Sequence, residues 1–465
     1  MGNKTTRRGF VQSSAALGTA WWVGSRTSAQ ARPSALEGLA AACVGVGGKG
    51  GSDTSHVAEH GVNILGLCDV DKNTLTKKAR EFKDAKQFTD FREMFEAIGD
   101  KVDIVTVSTP DHTHATAAIN AMKMGKHVYC QKPLTWSIHE ARKMRETAAE
   151  KGVVTQMGNQ GTSEDGLREA VEVLRAGAIG DVTEVHIWSN RPIWPQGVGR
   201  PEGSDPVPES LNWDAWLGPA PFRPYVGNRT YHDFNWRGWC DFGTGALGDM
   251  ACHTCNTAVK GLDLWDATAI TAVRNPGIFE GETYPGSSQL KFEFPARGNF
   301  VPCTFNWYDG GNLPDESLTS QLPERFRKKI EEQRAGGRKT SGALYVGSKG
   351  MLYSPDDYGA QYFLLPQDDF KDFKPPEQTI PRIPFRGNGD LRHKFEFVSA
   401  IKGECETQSN FGYAGRLTET ILCGNLAIRA GEGIRVEWDA KNLKVTNLPE
   451  LNKFVHREYR EGWTI

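Results

Sequence analysis

Residues 43–53 read CVGVGGKGGSD, and most of the structural prediction rests on this segment. Gly45, Gly47 and Gly50 have the spacing Gly-x-Gly-x-x-Gly and follow a short apolar run. In such a pattern the first glycine allows a tight turn, the second lets the backbone approach a pyrophosphate, and the third permits close packing of a helix on a strand. The N-terminus of that helix supplies positive potential for phosphates. The segment therefore predicts a dinucleotide-binding loop between a first strand and a first helix.

The next apolar run ends in an acid. VNILGLCDVD (Val62–Asp71) predicts a second strand, and Asp69 stands 19 residues after Gly50. A carboxylate at this point can bind the ribose 2′-hydroxyl of NAD, whereas it would repel the 2′-phosphate of NADP. We therefore predict NAD as the cofactor.

Two patterns of hydrophobicity divide the chain. Residues 40–190 alternate short apolar runs with amphipathic segments, which is typical of βαβ units and a parallel sheet. From about Val182 the runs are longer and partly alternating, as in VTEVHIWSN and SSQLKFEF, which favours a sheet with one open face. We predict an α/β fold: a Rossmann NAD-binding domain at residues 38–160, and at 161–465 a substrate-binding and oligomerisation α/β domain with a large, mostly antiparallel sheet. Residues 191–225 and 312–341 are expected to be irregular insertions.

Composition narrows the range of partners. The chain has 465 residues, 24% charged residues and a net charge of −2. Nucleic acids and anionic membranes favour a basic surface, so neither is an expected partner. No apolar stretch reaches the roughly 18 residues of a membrane span. The nine cysteines are expected to be mostly free thiols, and CHTC (Cys252–Cys255) lacks a second ligand pair, so no metal is predicted.

The first 31 residues resemble an export signal. TTRRGFVQSSAALG places Arg7 and Arg8 ahead of a weakly apolar run, and SAQA (Ser28–Ala31) offers a cleavage site. TRRGFVQ resembles the twin-arginine motif, whose substrates cross the membrane already folded. We expect a twin-arginine signal peptide at residues 1–31 and a periplasmic protein. The alternative is an ordinary secretory leader, and a cytoplasmic location follows if there is no signal.

Two further motifs end the next predicted strands. They are STPDHTHA (Ser108–Ala115) and CQKPLTW (Cys130–Trp136). Ligands of open parallel sheets gather at the carboxyl ends of the strands, so both motifs should face the cofactor. With the glycine loop, these motifs resemble the Gfo/Idh/MocA family of oxidoreductases over residues 40–260, with support from AGRLTETILCGNLAIRAG further on. The predicted cofactor contacts beyond the glycines and Asp69 are Thr109, Pro110, His114, Gln131 and Lys132, while His112, His114 and His393 also suit structural roles.

The resemblance implies a catalytic lysine. The usual Glu-Lys-Pro of the family is Gln131-Lys132-Pro133 here, so the lysine is kept and the glutamate is replaced. In the family this lysine sits beside the nicotinamide and the substrate. We expect burial and the nicotinium cation to lower the pKa of Lys132, which would let it accept or donate a proton.

A motif in the second half supplies the other candidate catalytic groups. GTGALGDMACHTCN (Gly243–Asn256) places Asp249 and His253 four residues apart, on one face of a helix. The family's second-domain motif likewise directs an acid and a histidine towards the substrate. His253 is predicted as general acid–base, with an unperturbed pKa near 6.5, and Asp249 as the group that orients the substrate or Lys132. The alternative for His253 is a structural role in a helix cap. Predicted sugar contacts are Asn159, Arg191, Tyr231, Trp236 and Arg237.

Three functions fit these residues. The first is an NAD(P)-dependent oxidoreductase that acts on a carbohydrate or cyclitol and is exported with NAD bound. The second is an NAD-dependent glycoside hydrolase that uses transient C3 oxidation, elimination and re-reduction. The third is a non-catalytic protein that binds the cofactor and a sugar. The resemblance also implies a homo-oligomer, a dimer or tetramer, paired through the open face of the second sheet.

Overall fold

The computed structural model of the chain describes residues 38–465, which begin with a six-stranded parallel sheet. Its strands are β1 (Ala40–Val44), β2 (Asn63–Cys68), β3 (Lys86–Phe88), β4 (Ile104–Val107), β5 (His127–Cys130) and β6 (Thr155–Met157). Their order across the sheet is β3-β2-β1-β4-β5-β6, with every neighbouring pair parallel. The order reverses between β1 and β4, and the crevice at this point is where such sheets bind ligands.

Helices connect these strands, and local sequence signals set their ends. The helices are α1 (Gly48–Glu59), α2 (Lys72–Ala79), α3 (Phe91–Ile98), α4 (Asp111–Lys123) and α5 (Ile138–Lys151). Helix α5 shows the rule clearly: Ser137 and Glu140 form a capping box at its start, and Gly152 ends it with a φ of +61°. The strand β4 is buried along its whole length, because helices cover both faces of the sheet.

A second sheet of nine strands follows. Its order is β13-β12-β11-β7-β10-β9-β8-β14-β15, in which β7 and β10 are parallel and the other pairs are antiparallel. The strands are β7 (Val182–Trp188), β8 (Ala269–Arg274), β9 (Gln289–Phe294), β10 (Cys303–Tyr308), β11 (Gly342–Gly347), β12 (Gly350–Ser354), β13 (Phe363–Leu365), β14 (Arg435–Asp439) and β15 (Lys444–Val445). The predicted fold class is confirmed.

Eight more helices belong to the second half. They are α6 (Asp165–Arg175), α7 (Trp213–Leu217), α8 (Gly245–Thr254), α9 (Asn256–Leu262), α10 (Glu316–Thr319), α11 (Glu324–Arg334), α12 (Gly389–Ile401) and α13 (Phe411–Ala430). Helix α13 packs on both α5 and α8. Arg142 of α5 forms an ion pair with Glu419 of α13 at 2.7 Å, while Gly424 of α13 lies so close to Leu247 that a Cβ would be 2.5 Å from its Cδ2. Helix α13 therefore fixes α8 relative to the first sheet.

The two expected insertions differ in structure. Residues 191–225 are largely irregular, with one short helix, α7. The expectation of an irregular segment at 312–341 is wrong, because α10 and α11 lie within it. Ile330 of α11 is buried in a cluster with Trp188, Leu322 and Tyr353, so an apolar stripe lies beneath the charged face that dominates the sequence of this segment.

The remaining predictions concern the signal peptide, the state of the cysteines and membrane-spanning segments. The predicted signal peptide at residues 1–31, with Arg7 and Arg8, lies outside the described residues. All nine cysteines are free thiols, and only Cys405 is exposed, which confirms the expectation of free, mostly buried thiols. Within residues 38–465, no helix is long and apolar enough to cross a membrane, and no group of three or more His, Cys, Asp or Glu side chains is placed to hold a metal ion.

Candidate active site

The glycine loop lies between β1 and α1. Gly45 has a φ of +78°, and a Cβ on it would be 2.6 Å from the carbonyl oxygen of Ser108. A Cβ on Gly50 would be 1.9 Å from the carbonyl oxygen of Gly45. Side chains at these positions would collide with backbone, so the turn and the close packing of α1 on the sheet require glycine. Gly47 faces the cavity, and a Cβ there would be 2.7 Å from Thr74 Cγ2.

Asp69 stands at the end of β2 beside this loop. Its Oδ2 accepts a hydrogen bond from the Val46 amide at 3.0 Å, and its Oδ1 accepts one from the Asp71 amide at 3.0 Å. Burial raises the pKa of this carboxyl group to about 6. The side chain also lines the cavity, so its remaining acceptor capacity is directed to a ligand hydroxyl.

A cavity of about 630 Å³ extends from the glycine loop to α8. Its first part is lined by the loop and by the ends of β2 and β4, and its second part by α8 and the aromatic segment around residue 234. Predicted site residues that line it are Gly45, Gly47, Asp69, Thr109, Pro110, Gln131, Lys132, Arg191, Trp236, Arg237, Asp249 and His253. One cavity thus joins the predicted cofactor loop to the predicted catalytic groups.

Lys132 and Asp249 both line this cavity and contact each other. The Lys132 Nζ donates to Asp249 Oδ1 at 2.8 Å and to the Asp249 carbonyl oxygen at 3.0 Å. Arg237 Nε lies 3.2 Å from the same Oδ1. The carboxylate opposes the effect of burial on Lys132, so the pKa of Lys132 lies above its ordinary value. The expectation that burial lowers the pKa of Lys132 is therefore wrong, while the effect of the nicotinium cation stays a prediction.

Asp249 carries the negative charge that holds two cations. Burial alone would raise the pKa of the Asp249 carboxyl, but Lys132 and Arg237 lower it by more, so this pKa lies well below its ordinary value. The sequence predicts its position on α8 correctly, one helical turn from His253. Asp249 is thus ionised and pins the ammonium of Lys132.

His253 follows one helical turn after Asp249. Burial, helped by the nearby Lys132 ammonium, lowers the pKa of His253 to about 3, far from the expected 6.5. Its Nδ1 is buried and has no hydrogen-bond partner among the described residues. The ring also meets Tyr358 edge to face, with centroids 5.0 Å apart. His253 is therefore neutral at physiological pH, with a nitrogen available to a ligand.

His114 lies behind the cofactor loop. Its ring is fully buried, with Nδ1 2.9 Å from the Pro133 carbonyl oxygen and Nε2 2.8 Å from the Thr109 carbonyl oxygen. It does not line the cavity. The predicted direct contact with the cofactor is replaced by a supporting one, in which His114 ties the Thr109 loop to the Lys132 loop. Gly50 is likewise a packing residue.

Two of the five predicted sugar contacts lie away from the cavity. Asn159 is fully buried, donates to the Cys252 carbonyl oxygen at 3.3 Å and accepts from Ser409. Tyr231 is 1% exposed within a cluster that contains Trp213, Trp239 and Phe242. Both side chains are occupied by the protein's own core, because a loop position alone does not say which way a side chain points.

Several cavity residues were not predicted from the sequence. Tyr358 comes from the loop after β12, and Trp463 from the C-terminal tail, where the Arg92 guanidinium lies 3.9 Å from its ring centroid. Asp111, inside a quoted motif, is buried behind the cavity and accepts from Thr244 Oγ1 at 2.7 Å. Burial raises its pKa to about 7. For Tyr358 and Trp463 no motif in the sequence gives a signal, since distant parts of the chain bring them to the cavity.

Comparison with known families agrees with this geometry. Residues 39–159 match a family model described as oxidoreductase family, NAD-binding Rossmann fold. Residues 191–268 match a model described as oxidoreductase family, C-terminal alpha/beta domain. The two matches cover the glycine loop, Lys132, Asp249 and His253. The domain that carries the glycine loop is thus an NAD-binding Rossmann domain.

Individual relatives cover parts of the chain. An inositol 2-dehydrogenase of Rubrobacter xylanophilus is 28% identical over 239 residues, which are 50% of this chain and 61% of that protein. A glycosyl hydrolase family 109 protein of Shewanella pealeana is 31% identical over 113 residues, 23% of this chain and 25% of that protein. The chain therefore matches less than two thirds of the length of either relative.

A solved structure shares the fold over most of the chain. Levoglucosan dehydrogenase in complex with NADH and levoglucosan superposes with a TM-score of 0.55 at 18% identity, covering 86% of this chain and 99% of that one. At this identity the likeness shows the common arrangement of a Rossmann domain and a second open sheet.

Proposed function

Because the chain belongs to the Gfo/Idh/MocA family of oxidoreductases, we propose that it oxidises a hydroxyl group of a carbohydrate or cyclitol with NAD. The observation that carries this proposal is the single cavity in which the ion pair of Lys132 and Asp249, together with His253, stands at one end of the glycine loop's crevice. An alcohol dehydrogenation needs a hydride acceptor, a proton acceptor and a stabiliser of oxyanion charge, and the cavity offers places for all three.

NAD fits the residues present. Gly45 and Gly50 permit the tight turn and the packing of α1, Gly47 lines the cavity, and Asp69 is held at the edge of the loop with acceptor capacity to spare. The loop amides and the N-terminus of α1 would hold the pyrophosphate, and Asp69 a ribose hydroxyl. When bound, NAD supplies the hydride acceptor.

Lys132 is suited to stabilise charge. Its pKa is raised, so the ammonium persists at neutral pH and cannot act as a base there. A fixed ammonium stabilises an oxygen that becomes negative as its proton leaves. We assign Lys132 to the reacting hydroxyl oxygen and Asp249 to the orientation of Lys132.

His253 is the proton acceptor in this proposal. It is neutral, its Nδ1 has no partner within the described chain, and both it and Lys132 line the same cavity. The O–H proton of the substrate hydroxyl would move to the His253 imidazole as the ketone forms. Asp249, four residues earlier on α8, partly offsets the effect of burial and of Lys132 on the charged form of His253.

The far wall of the cavity fits a hydroxylated ring. Trp194, Phe234 and Trp236 line it, and the Arg237 guanidinium lies 4.3 Å from the Trp236 ring centroid. Aromatic faces pack on the apolar face of a sugar ring, while guanidinium groups donate to its hydroxyls. Arg191 adds a second guanidinium to the lining, and this group contacts Asn190 Oδ1. Relatives and structural neighbours named for inositol and levoglucosan support this substrate class.

A substrate screen tests the proposal. Purified protein would be given NAD and a panel of neutral sugars, sugar acids and cyclitols, with NADH absorbance and ketone products measured. We expect NADH with at least one compound and at least a 100-fold loss of rate in Lys132→Ala. A matched control, Lys260→Ala, removes a lysine from helix α9 outside the cavity lining. Equal rates in wild type and Lys132→Ala would refute the assignment.

The match to a glycosyl hydrolase family 109 protein favours a second candidate function. The same cavity would oxidise C3 of a glycoside transiently, release the aglycone by elimination, add water to the double bond that forms and reduce the ketone again. Release of aglycone from a chromogenic glycoside without net NADH would identify this activity. Net NADH or a second reduced product would identify the oxidoreductase. Binding of ligands with no hydride exchange from deuterated sugars would identify a non-catalytic binding protein.

We also propose export of the protein with NAD bound, and a homo-oligomeric state. Support for export comes from the twin-arginine pattern at Arg7 and Arg8. Two measurements test export with NAD bound. The purified protein is denatured and the released NAD is quantified, and cell fractionation locates the protein. Near-stoichiometric NAD in a periplasmic fraction is expected, and an empty cytoplasmic protein would contradict it. Light scattering tests the homo-oligomeric state, and a monomer would contradict it.

A further inference from the structure

A buried charge cluster lies directly beneath the glycine loop. Asp53 of α1 and Lys394 of α12 are both fully buried, and the Lys394 Nζ lies 2.5 Å from Asp53 Oδ1. Lys49 bridges Asp53 and Asp390 at 2.7 Å each, and Lys394 also meets Asp390 at 2.7 Å. Two cations and two anions thus balance. The two lysines outweigh burial and lower the pKa of Asp53, which keeps it ionised.

The other oxygen of Asp53 faces the active-site loops. Asp53 Oδ2 accepts hydrogen bonds from Ser108 Oγ and from Gln131 Nε2, both at 2.8 Å. Ser108 follows β4 and precedes the loop with Thr109, while Gln131 follows β5 and precedes Lys132. One carboxylate oxygen therefore holds the ends of two neighbouring strands.

Gln131 passes this constraint to Lys132. Its Oε1 accepts from the Lys132 backbone amide at 3.3 Å, and its own backbone amide donates to the Val107 carbonyl oxygen at 2.8 Å. A Cβ on Gly158 would be 2.6 Å from the Gln131 side-chain amide, so this side chain is closely confined. Donor and acceptor ends of the amide are both used, each towards a different partner.

The contact explains why an amide stands at position 131. A glutamate there would place a second carboxyl group at the 2.8 Å contact with Asp53 Oδ2, where it would either have to take up a proton or stay ionised against a like charge. If it stayed ionised, the cluster would gain a net negative charge in a buried place, which is costly. An amide avoids both problems because it donates to the carboxylate.

We propose that Asp53 is a positioning residue for Lys132, acting through Gln131. The pair Asp53–Gln131 holds the Lys132 backbone and Ser108, at the start of the loop after β4, in a fixed position relative to each other. This inference rests on the role of Lys132 in the proposed function.

An exchange of the two groups tests the pair. Gln131→Glu adds a buried negative charge and Asp53→Asn leaves an excess positive one, whereas the double variant Asp53→Asn/Gln131→Glu restores both the charge balance and an amide–carboxylate contact. Gln131→Met removes the hydrogen bonds while keeping the size and adding no charge, so it serves if a charged variant does not fold.

The readout is the reactivity of Lys132 itself, which requires no substrate. Wild type and variants, as purified and with saturating NAD, are labelled with trace acetic anhydride, and each lysine is quantified by mass spectrometry. Lys260, which donates to the Gln408 carbonyl oxygen at 2.7 Å, is the internal reference. General loosening of the fold would raise labelling at both lysines.

We expect Lys132 to be labelled about fivefold faster in Gln131→Glu, Asp53→Asn and Gln131→Met, because loss of the backbone restraint weakens the Lys132–Asp249 contact. The double variant should return to within about twofold of wild type, with Lys260 unchanged throughout. Unchanged Lys132 labelling in the single variants, or a double variant no closer to wild type than Gln131→Glu, would overturn the proposal. The labelling rates do not depend on turnover, so they test this proposal even if the protein shows no dehydrogenase activity.

Discussion

Asp249 Oδ1 lies 2.8 Å from Lys132 Nζ, and this contact joins the second domain to the loop after β5. We predict that Asp249→Asn lowers kcat/KM at neutral pH by at least about 100-fold. Burial then acts on Lys132 without its main counter-charge, so its pKa falls. As pH rises, activity that depends on the Lys132 ammonium should therefore be lost at a lower pH in Asp249→Asn than in wild type.

The pH dependence of kcat/KM checks this prediction. Asp233→Asn is a matched control, because Asp233 also lines the cavity but pairs with the exposed Arg229 at 3.0 Å. An alkaline limb at the same pH in Asp249→Asn and wild type would contradict the assignment of Asp249 as the counter-ion.

His253 should remain neutral far below neutral pH. Burial lowers its pKa to about 3, so no titration is expected between pH 5 and 8. Histidine NMR of ¹⁵N-labelled protein, with His253→Gln to assign the signal, measures this directly. A midpoint near the ordinary histidine value would contradict the prediction. In the same variant, kcat should fall by about 100-fold, since a proton acceptor is removed.

Asp111 links stability to pH with a definite sign. Burial raises its pKa to about 7 in the folded protein, against an unfolded value near 3.9. Its contribution is therefore fully present below the unfolded pKa and is lost as pH rises through about 7. Asp111→Asn keeps an acceptor for Thr244 but cannot ionise. The free energy of unfolding of Asp111→Asn, relative to that of wild type, should thus rise from pH 5 to pH 8 by on the order of 3 kcal/mol.

Calorimetric unfolding of wild type and Asp111→Asn at both pH values gives this difference. Thr244→Val is a useful companion, because it removes the hydrogen bond that lowers the Asp111 pKa but leaves the carboxyl group. Parallel pH dependence in wild type and Asp111→Asn would show that Asp111 is ionised in the folded protein over the whole range.

Asp69 should set both affinity and selectivity for the cofactor. Asp69→Asn is expected to weaken NAD binding by about tenfold or more, since a charged hydrogen bond to a ribose hydroxyl becomes a neutral one. NADP should bind no worse than before, because repulsion of its 2′-phosphate is removed. Titration calorimetry with both dinucleotides measures the two effects. Equal losses for NAD and NADP would place Asp69 away from the ribose.

Arg191 should act on substrate binding. Arg191→Met is expected to raise KM by about tenfold with little change in kcat, because the group binds ground state and transition state alike. Arg200→Met is the matched control, since Arg200 is exposed and pairs with Glu282 at 2.8 Å. A fall in kcat with constant KM would instead place Arg191 at the reacting atoms.

Local patterns predicted the first half of the fold well. The glycine spacing and the alternation of strand and helix depend on neighbouring residues, and β1, β2, β4 and β5 all appear where the apolar runs predicted them. In the second half, β11–β15 and α11 were missed. Strand β15 has two residues, and α11 shows mostly its charged face, so neither gives a strong periodic signal.

The site divides in the same way. Lys132, Asp249 and His253 could be predicted, since each belongs to a motif, but the direction of the lysine pKa depends on a carboxylate 117 residues away. The contact of Asp53 with Lys394 joins residues 341 positions apart, and no motif marks either of them. Asn159 and Tyr231 have suitable chemistry, yet their side chains point into the core.

The cavity draws its wall from both the earliest and the latest described parts of the chain, since Gly45 and Trp463 both line it. On the ribosome, the glycine loop emerges long before residue 463 is made. The first sheet can form during synthesis, but the cavity is complete only when the segment around Trp463 has been made and packs beside Arg92.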